Sequence, residues 1–166
     1  AKAFPASDFH GYELSKIALE LAEGNKREAG IANVTFHDVR GEQLPGDGSF
    51  DLVCSFDCLH DMTHPRQVIA AVRKTLKEDG TYLIADVKSY PTYEGNLEEN
   101  PMVALMYGFS VLSCMSSALS EPDGEGLGTL GFHEDIAREM AREAWFSRVE
   151  VKDFGNPVNI YYELRP

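Results

Sequence analysis

The stretch from Phe50 to Val87 constrains the fold of this chain more than any other. It opens with a near-continuous apolar run, FDLVCSF, and passes through the polar loop DCLHDM. Val68, Ile69, Val72 and Leu76 then recur at helical spacing behind Pro65, and the stretch closes with TYLIADV. Proline suits the first turn of a helix, where its missing N–H costs nothing. Strand, helix and strand in that order specify a βαβ unit, and open α/β sheets bind ligands at the carboxyl ends of their strands. The apolar character of Phe50 to Phe56 predicts a central strand buried on both faces. Glu78, Asp79 and Gly80 are expected to close the helix before the second strand, Thr81 to Val87.

The flanking segments extend this pattern. Asp8 to Glu13 alternates like a short strand, Ser15 stands where a helix N-cap belongs, and Ile17, Leu19, Leu21 and Ala22 give the next helix an apolar side that ends near Gly30. Asn33 to His37 is strand-like and brings Asp38 to its carboxyl end, so two acids, Glu13 and Asp38, close two successive strands. Pro91 to Pro101 is acidic and is expected to be a solvated loop. Met102 to Leu119 is apolar around most of its circumference and predicts a buried or ligand-covering helix. After a Gly-rich stretch, His133 to Ala144 reads as an amphipathic helix. Arg148 to Phe154 and Val158 to Leu164 read as an antiparallel hairpin turning at Gly155 to Pro157.

Charge and length restrict the function classes. With 166 residues, 43% of them hydrophobic, the chain can enclose one core, which predicts a single domain over 1–166. A formal net charge of −12 repels a phosphate backbone or an anionic membrane surface, which argues against nucleic-acid and membrane partners. No apolar run approaches the roughly 20 residues of a transmembrane helix. Cys54, Cys58 and Cys114 are odd in number and lie in apolar segments, as reduced thiols of a cytoplasmic protein would.

An acid at a strand's carboxyl end just before a helix is the device by which doubly wound sheets hold ribose hydroxyls, although such an acid also serves simply as a helix-dipole or capping residue. The succession FHGYELS, NVTFHD, LPGDGSFDLVCSFDCLHDM and VRKTLKEDGTYLIAD resembles the class I S-adenosylmethionine-dependent methyltransferases of the small-molecule branch, over about Ala1 to Val87, with a looser match in the terminal hairpin. The resemblance implies a Rossmann-like α/β fold, a mostly parallel sheet with a C-terminal antiparallel hairpin. It implies S-adenosylmethionine as cofactor, with Glu13 on the ribose diol and Asp38 near adenine. Leu14 and Val39 would offer apolar faces to the ring, and Ser55 and Phe56 would line the sulfonium. It implies methyl transfer to a small-molecule acceptor, with Met102, Met106, Tyr107 and Met115 as a substrate wall or as ordinary core, and a lid insertion at about 90–131.

The sequence departs from that family in places. The family's first strand and Gly-rich motif would lie upstream of Ala1, which predicts an open slot in the sheet, with either a longer, N-terminally extended natural protein or a homodimer partner to fill it. Trp145 stands where the family commonly has a Gly ending the last helix. A non-catalytic, ligand-sensing or dimerisation module is the alternative function. The literal GxGxxG at Gly126, Gly128 and Gly131 invites a third, an NAD-binding protein, but that fingerprint needs a strand directly before its first Gly. Cys58, His60, Asp61 and His64 crowd one loop at a spacing that fits no standard zinc pattern, so no metal is expected there. His60 is the candidate general base, with packing beside the cofactor as its alternative role.

Overall fold

The computed structural model describes all of residues 1–166. By its internal contacts the chain divides into two compact units, Ala1–Pro45 and Gly46–Pro166.

In the first unit, β1 (Phe9–Glu13) pairs in parallel with β2 (Val34–Asp38), and α1 (Lys16–Glu28) connects them. The predicted caps are in place: Ser15 Oγ accepts from Ala18 N at 3.3 Å, and Gly30 follows the helix with φ +64°. No residue of α1 is buried, and Ile17 and Leu21, expected on its apolar side, are exposed.

The second unit carries a four-stranded sheet in the order β3 (Phe50–Phe56), β4 (Leu76–Val87), β6 (Asn159–Arg165), β5 (Arg148–Lys152). β3 and β4 are parallel, while β4–β6 and β5–β6 are antiparallel. The α/β class and the terminal hairpin are therefore as expected. Within this mixed sheet one pairing is parallel and the two made by the terminal hairpin strand β6 are antiparallel, while the β1–β2 pair of the first unit is parallel. α2 (Pro65–Thr75) and α6 (Glu134–Glu143) pack with each other, α2 against β4 and α6 against β5. Between them lies the core, in which Leu59, Ile69, Tyr82, Phe132, Tyr162 and Leu164 are wholly buried. Burying an aliphatic or aromatic side chain of this kind contributes roughly 1.5–3 kcal/mol.

Four expectations are corrected. β3 is an edge strand, not a doubly buried one, because β4 is its only strand neighbour; Leu52 and Phe56 remain 54% and 63% exposed. The segment Leu76–Gly80 is extended instead of closing α2: two steps along β3, from Phe50 to Leu52, match five along β4, from Leu76 to Thr81. The chain bulges there, and Gly80 is needed because a Cβ would sit 3.0 Å from Lys77 O and 3.1 Å from Phe50 O. The acidic linker contains α3 (Tyr93–Glu99), made possible by Thr92, whose Oγ1 accepts from Gly95 N at 3.0 Å. Lastly, Met102 to Leu119 is α4 (Val103–Phe109), a π-helical turn (Ser110–Cys114) and α5 (Met115–Ala118). Met106 packs in a small cluster with Val87 and Leu130, against which Val103 and Tyr107 lie, but Val111 and Leu112 are largely exposed. No helix is long and apolar enough to cross a membrane.

Candidate functional site

Each unit gathers its own set of chemically capable residues. In the first, the parallel register places Glu13 directly beside Asp38 at the carboxyl end of both strands. Glu13 is oriented by the chain that follows it, since its Oε1 accepts from Leu14 N at 2.8 Å and Ser15 N at 2.7 Å. Its Oε2 has no protein partner. Asp38 is gripped by Arg40, which donates from Nε to Oδ1 at 2.7 Å and from Nη2 to Oδ2 at 2.5 Å. That fork, helped by the Arg40 backbone N–H, holds the Asp38 carboxyl down at about 2. Both Asp38 oxygens therefore carry a donor already, and a further one must use the remaining lone pairs. Leu14 is 61% exposed, and Val39 is half-buried with its N–H on Glu13 O at 3.2 Å. The four sequence candidates of this unit thus stand together at one strand edge.

In the second unit the chain leaves β3 through Ser55, Phe56 and Asp57, the last with φ +47° and its N–H on Ala85 O at 2.8 Å. Ser55 Oγ hydrogen-bonds the Tyr82 hydroxyl at 2.7 Å, whereas Phe56 points largely to solvent. A single 3-10 turn, Leu59–Asp61, then buries His60 to 5% exposure. Its Nδ1 lies 2.6 Å from Oδ1 of Asp86, a wholly buried carboxylate near the end of β4 that also accepts from Val87 N at 2.7 Å. On the other side of the ring, Nε2 lies 3.5 Å from Cys114 Sγ. Cys114 Sγ in turn accepts from Thr129 Oγ1 at 3.0 Å, and Thr129 N donates to Ser110 Oγ at 3.2 Å. An unbroken polar chain thus runs Asp86, His60, Cys114, Thr129 through the interior.

Burial by itself would lower the His60 imidazolium, but the hydrogen bond and charge of Asp86, with Cys114 adding to them, outweigh it and raise the ring to about 9. With both ring nitrogens engaged, His60 has none left over to take a proton from an acceptor in this arrangement. Burial pushes the Cys58 thiol up to about 11, the Asp86 charge adding to it, and likewise raises the Asp61 carboxyl.

The sequence did not point to Asp86, Cys114 and Thr129 as partners of His60. Cys114 is 54 positions away in an apolar stretch, and only the tertiary fold brings it close. Of the crowded loop, His60 and Asp61 approach Cys114, while His64 turns to Glu121 at 3.6 Å. The GxGxxG follows α5 and a loop, not a strand. Gly128, at φ +69°, serves the close approach of the π-turn, because a Cβ there would meet Ser110 Oγ at 2.4 Å and Met115 Sδ at 2.8 Å. Thr129, Leu130 and Phe132 beyond it are buried, and Arg66 binds Glu125 of this segment as well as Glu139 and Glu143 of α6.

Comparison with known proteins gives a consistent picture. A family model described as a methyltransferase domain matches residues 1–130. An uncharacterized methyltransferase of Bacillus subtilis, YcgJ, is 32% identical over 77 residues, which cover 46% of this chain and 30% of that protein. Among solved structures, a candidate O-methyltransferase of Nostoc punctiforme superposes with a TM-score of 0.70 at 18% identity, covering 98% of this chain and 46% of its own. The S-adenosylmethionine-dependent methyltransferase SibL, in its apo form, superposes with a TM-score of 0.68 at 18% identity, covering 100% and 46%. The chain thus spans less than half the length of each of these relatives.

Proposed function

This chain belongs to the methyltransferase-domain family, and from that premise we propose that it binds S-adenosylmethionine and takes part in transferring its methyl group to a small-molecule acceptor. The observation that carries the proposal is the pair of acids in register, Glu13 and Asp38, at the carboxyl edge of a parallel strand pair ahead of α1. A carboxylate in the position of Glu13, with one oxygen fixed by two backbone N–H groups and the other free of protein partners, is set to accept hydrogen bonds from a ribose diol. Leu14 and Val39 supply apolar surface beside it. The acidic surface suits a small acceptor better than a polyanionic one.

The bound cofactor would supply an electrophilic methyl on a sulfonium, leaving as a neutral thioether when a nucleophile displaces it in line. For such a displacement the protein's part is to position the reactants and exclude water. Neither task calls for a covalent intermediate on the protein.

Calorimetric titration of the full chain with S-adenosylmethionine tests the proposal, using Glu13→Gln as the variant. Hydrogen bonds to a charged group contribute about 1.5–3 kcal/mol, so the variant is expected to bind at least tenfold more weakly while keeping the turn to Leu14 and Ser15. Equal affinity in the two proteins would remove Glu13 from the cofactor site, and the absence of binding by the unaltered chain would overturn the proposal.

A further inference from the structure

We propose that His60 Nε2, Cys114 Sγ and a carboxylate oxygen of Asp61 form the protein side of a site for a zinc-class divalent cation, with Asp86 holding His60 from behind. One ligand atom from each of His60, Asp61 and Cys114 lies within 4.8 Å of the other two. For a tetrahedral zinc ion with Zn–N of about 2.0–2.1 Å and Zn–S of about 2.3 Å, the nitrogen and sulfur fall about 3.5 Å apart. The spacing between His60 Nε2 and Cys114 Sγ is 3.5 Å.

The surroundings match what such an ion requires. A metal-bound histidine characteristically donates its other ring N–H to a carboxylate, which fixes the tautomer and strengthens the ligand; Asp86 Oδ1 stands 2.6 Å from His60 Nδ1 for that role. The thiolate also needs support, and Thr129 Oγ1 donates to it at 3.0 Å. Cys114 ends a π-helical turn, a widened backbone often found where a helix is adapted to a site.

Charge supplies an independent argument. Asp61 and Asp86 bring two carboxylates to one imidazole, and His60 is the one cationic partner Asp86 has. Asp86 Oδ2 is moreover fully buried and has no hydrogen-bond partner. Buried carboxylates are costly unless paired or near a metal. A divalent cation bound beside His60 would add to the compensation that the imidazole alone gives these two carboxylates. Thiolate and imidazole ligands favour zinc-class ions over magnesium or calcium. With three protein ligands the fourth position is left for water or an incoming heteroatom. Binding releases the thiol proton of Cys114 and any proton on His60 Nε2.

The test does not use S-adenosylmethionine, so its failure and the failure of the methyl-transfer proposal are distinguishable. The test uses the full chain stripped of metal by chelator dialysis and titrated with Zn²⁺ and, separately, Co²⁺. The expected result is one ion per chain, with a thiolate-to-cobalt charge-transfer band, and protection of Cys114 from alkylation by iodoacetamide, read by mass spectrometry on the unaltered protein. Cys114→Ser should abolish the band and, like His60→Ala, weaken Zn²⁺ at least tenfold, whereas Cys54→Ser, at an exposed strand position, should bind normally. Binding without the charge-transfer band, alkylation of Cys114 at the same rate with and without Zn²⁺, or no binding at micromolar Zn²⁺ would each overturn the proposal in favour of a metal-free hydrogen-bond chain. The alkylation measurement needs no variant, so the outcome stands even if a substitution unfolds the protein.

Discussion

Replacing Trp145 by Gly is expected to stabilise the protein, although it deletes a large apolar side chain. Trp145 sits just past α6 with φ +66°, in the left-handed region. It occupies the C′ position of a Schellman motif, in which Phe146 N donates to Ala141 O at 3.0 Å and Trp145 N to Arg142 O at 3.0 Å. Its side chain is 84% exposed, so little burial is lost on removing it. A left-handed conformation costs an L-residue about 1–2 kcal/mol. Glycine escapes that cost but loses about 0.5–1 kcal/mol through the greater freedom of its unfolded chain. The difference is a net gain of about 0–1.5 kcal/mol, with a midpoint of about 0.75 kcal/mol that corresponds to a rise in Tm of roughly 2–3 °C for a chain of this length. Trp145 is the single tryptophan, so the melts must be followed by circular dichroism and not by fluorescence. Trp145→Ala is the decisive control: it removes the same side chain and keeps the strain, so it should show none of the gain. If Gly and Ala variants melt together, backbone strain at this cap is not what Trp145 contributes, and the reasoning fails.

The cap of α3 offers a second measurement: Thr92→Ala should cost about 1 kcal/mol in urea unfolding by freeing Gly95 N, with Thr92→Ser restoring most of it, and an unchanged midpoint would show that α3 does not need its cap. A third concerns acid. Burial pushes the Glu163 carboxyl up, but hydrogen bonds from Arg165 and Lys152 outweigh this and hold it below the usual carboxylate range. Its folded-state pKa being depressed, its stabilisation is present above the unfolded-state pKa and is lost as pH falls through the folded one. Glu163→Gln should therefore melt below the unaltered protein at neutral pH and converge with it in acid; a gap that widens on acidification would contradict the assignment.

Much of the fold could be read from local chemistry. Ser15 and Gly30 bracket α1, Pro65 opens α2, and Gly155 turns the hairpin, because capping, a missing N–H and a positive φ are properties of single residues. Even the unusual cap at Trp145 showed as a departure from a Gly-preferring position. What local chemistry misled on was burial. Phe50 to Phe56 is as apolar as a central strand, yet an apolar run does not state which strands flank it, and the sheet order leaves β3 at the edge. The acidic, polar character of Pro91 to Pro101 suggested a loop, while Thr92 within it caps a helix.

The candidate residues divide the same way. Glu13 and Asp38 could be found in the sequence because each ends a strand, and parallel pairing of consecutive strands then sets them side by side. The sequence by itself thus determined the α/β class, the family resemblance and the acidic strand edge, all of which depend on near neighbours along the chain. Tertiary structure alone decided that His60 is locked between Asp86 and Cys114, since contacts 26 and 54 positions apart leave no periodic or spacing signal. It also decided what the glycines at 126–131 are for. Gly128 lets the backbone approach a π-helical turn, Gly126 makes room for the Leu119 side chain and Gly131 for the backbone at Leu127, steric requirements that appear only in the packed chain.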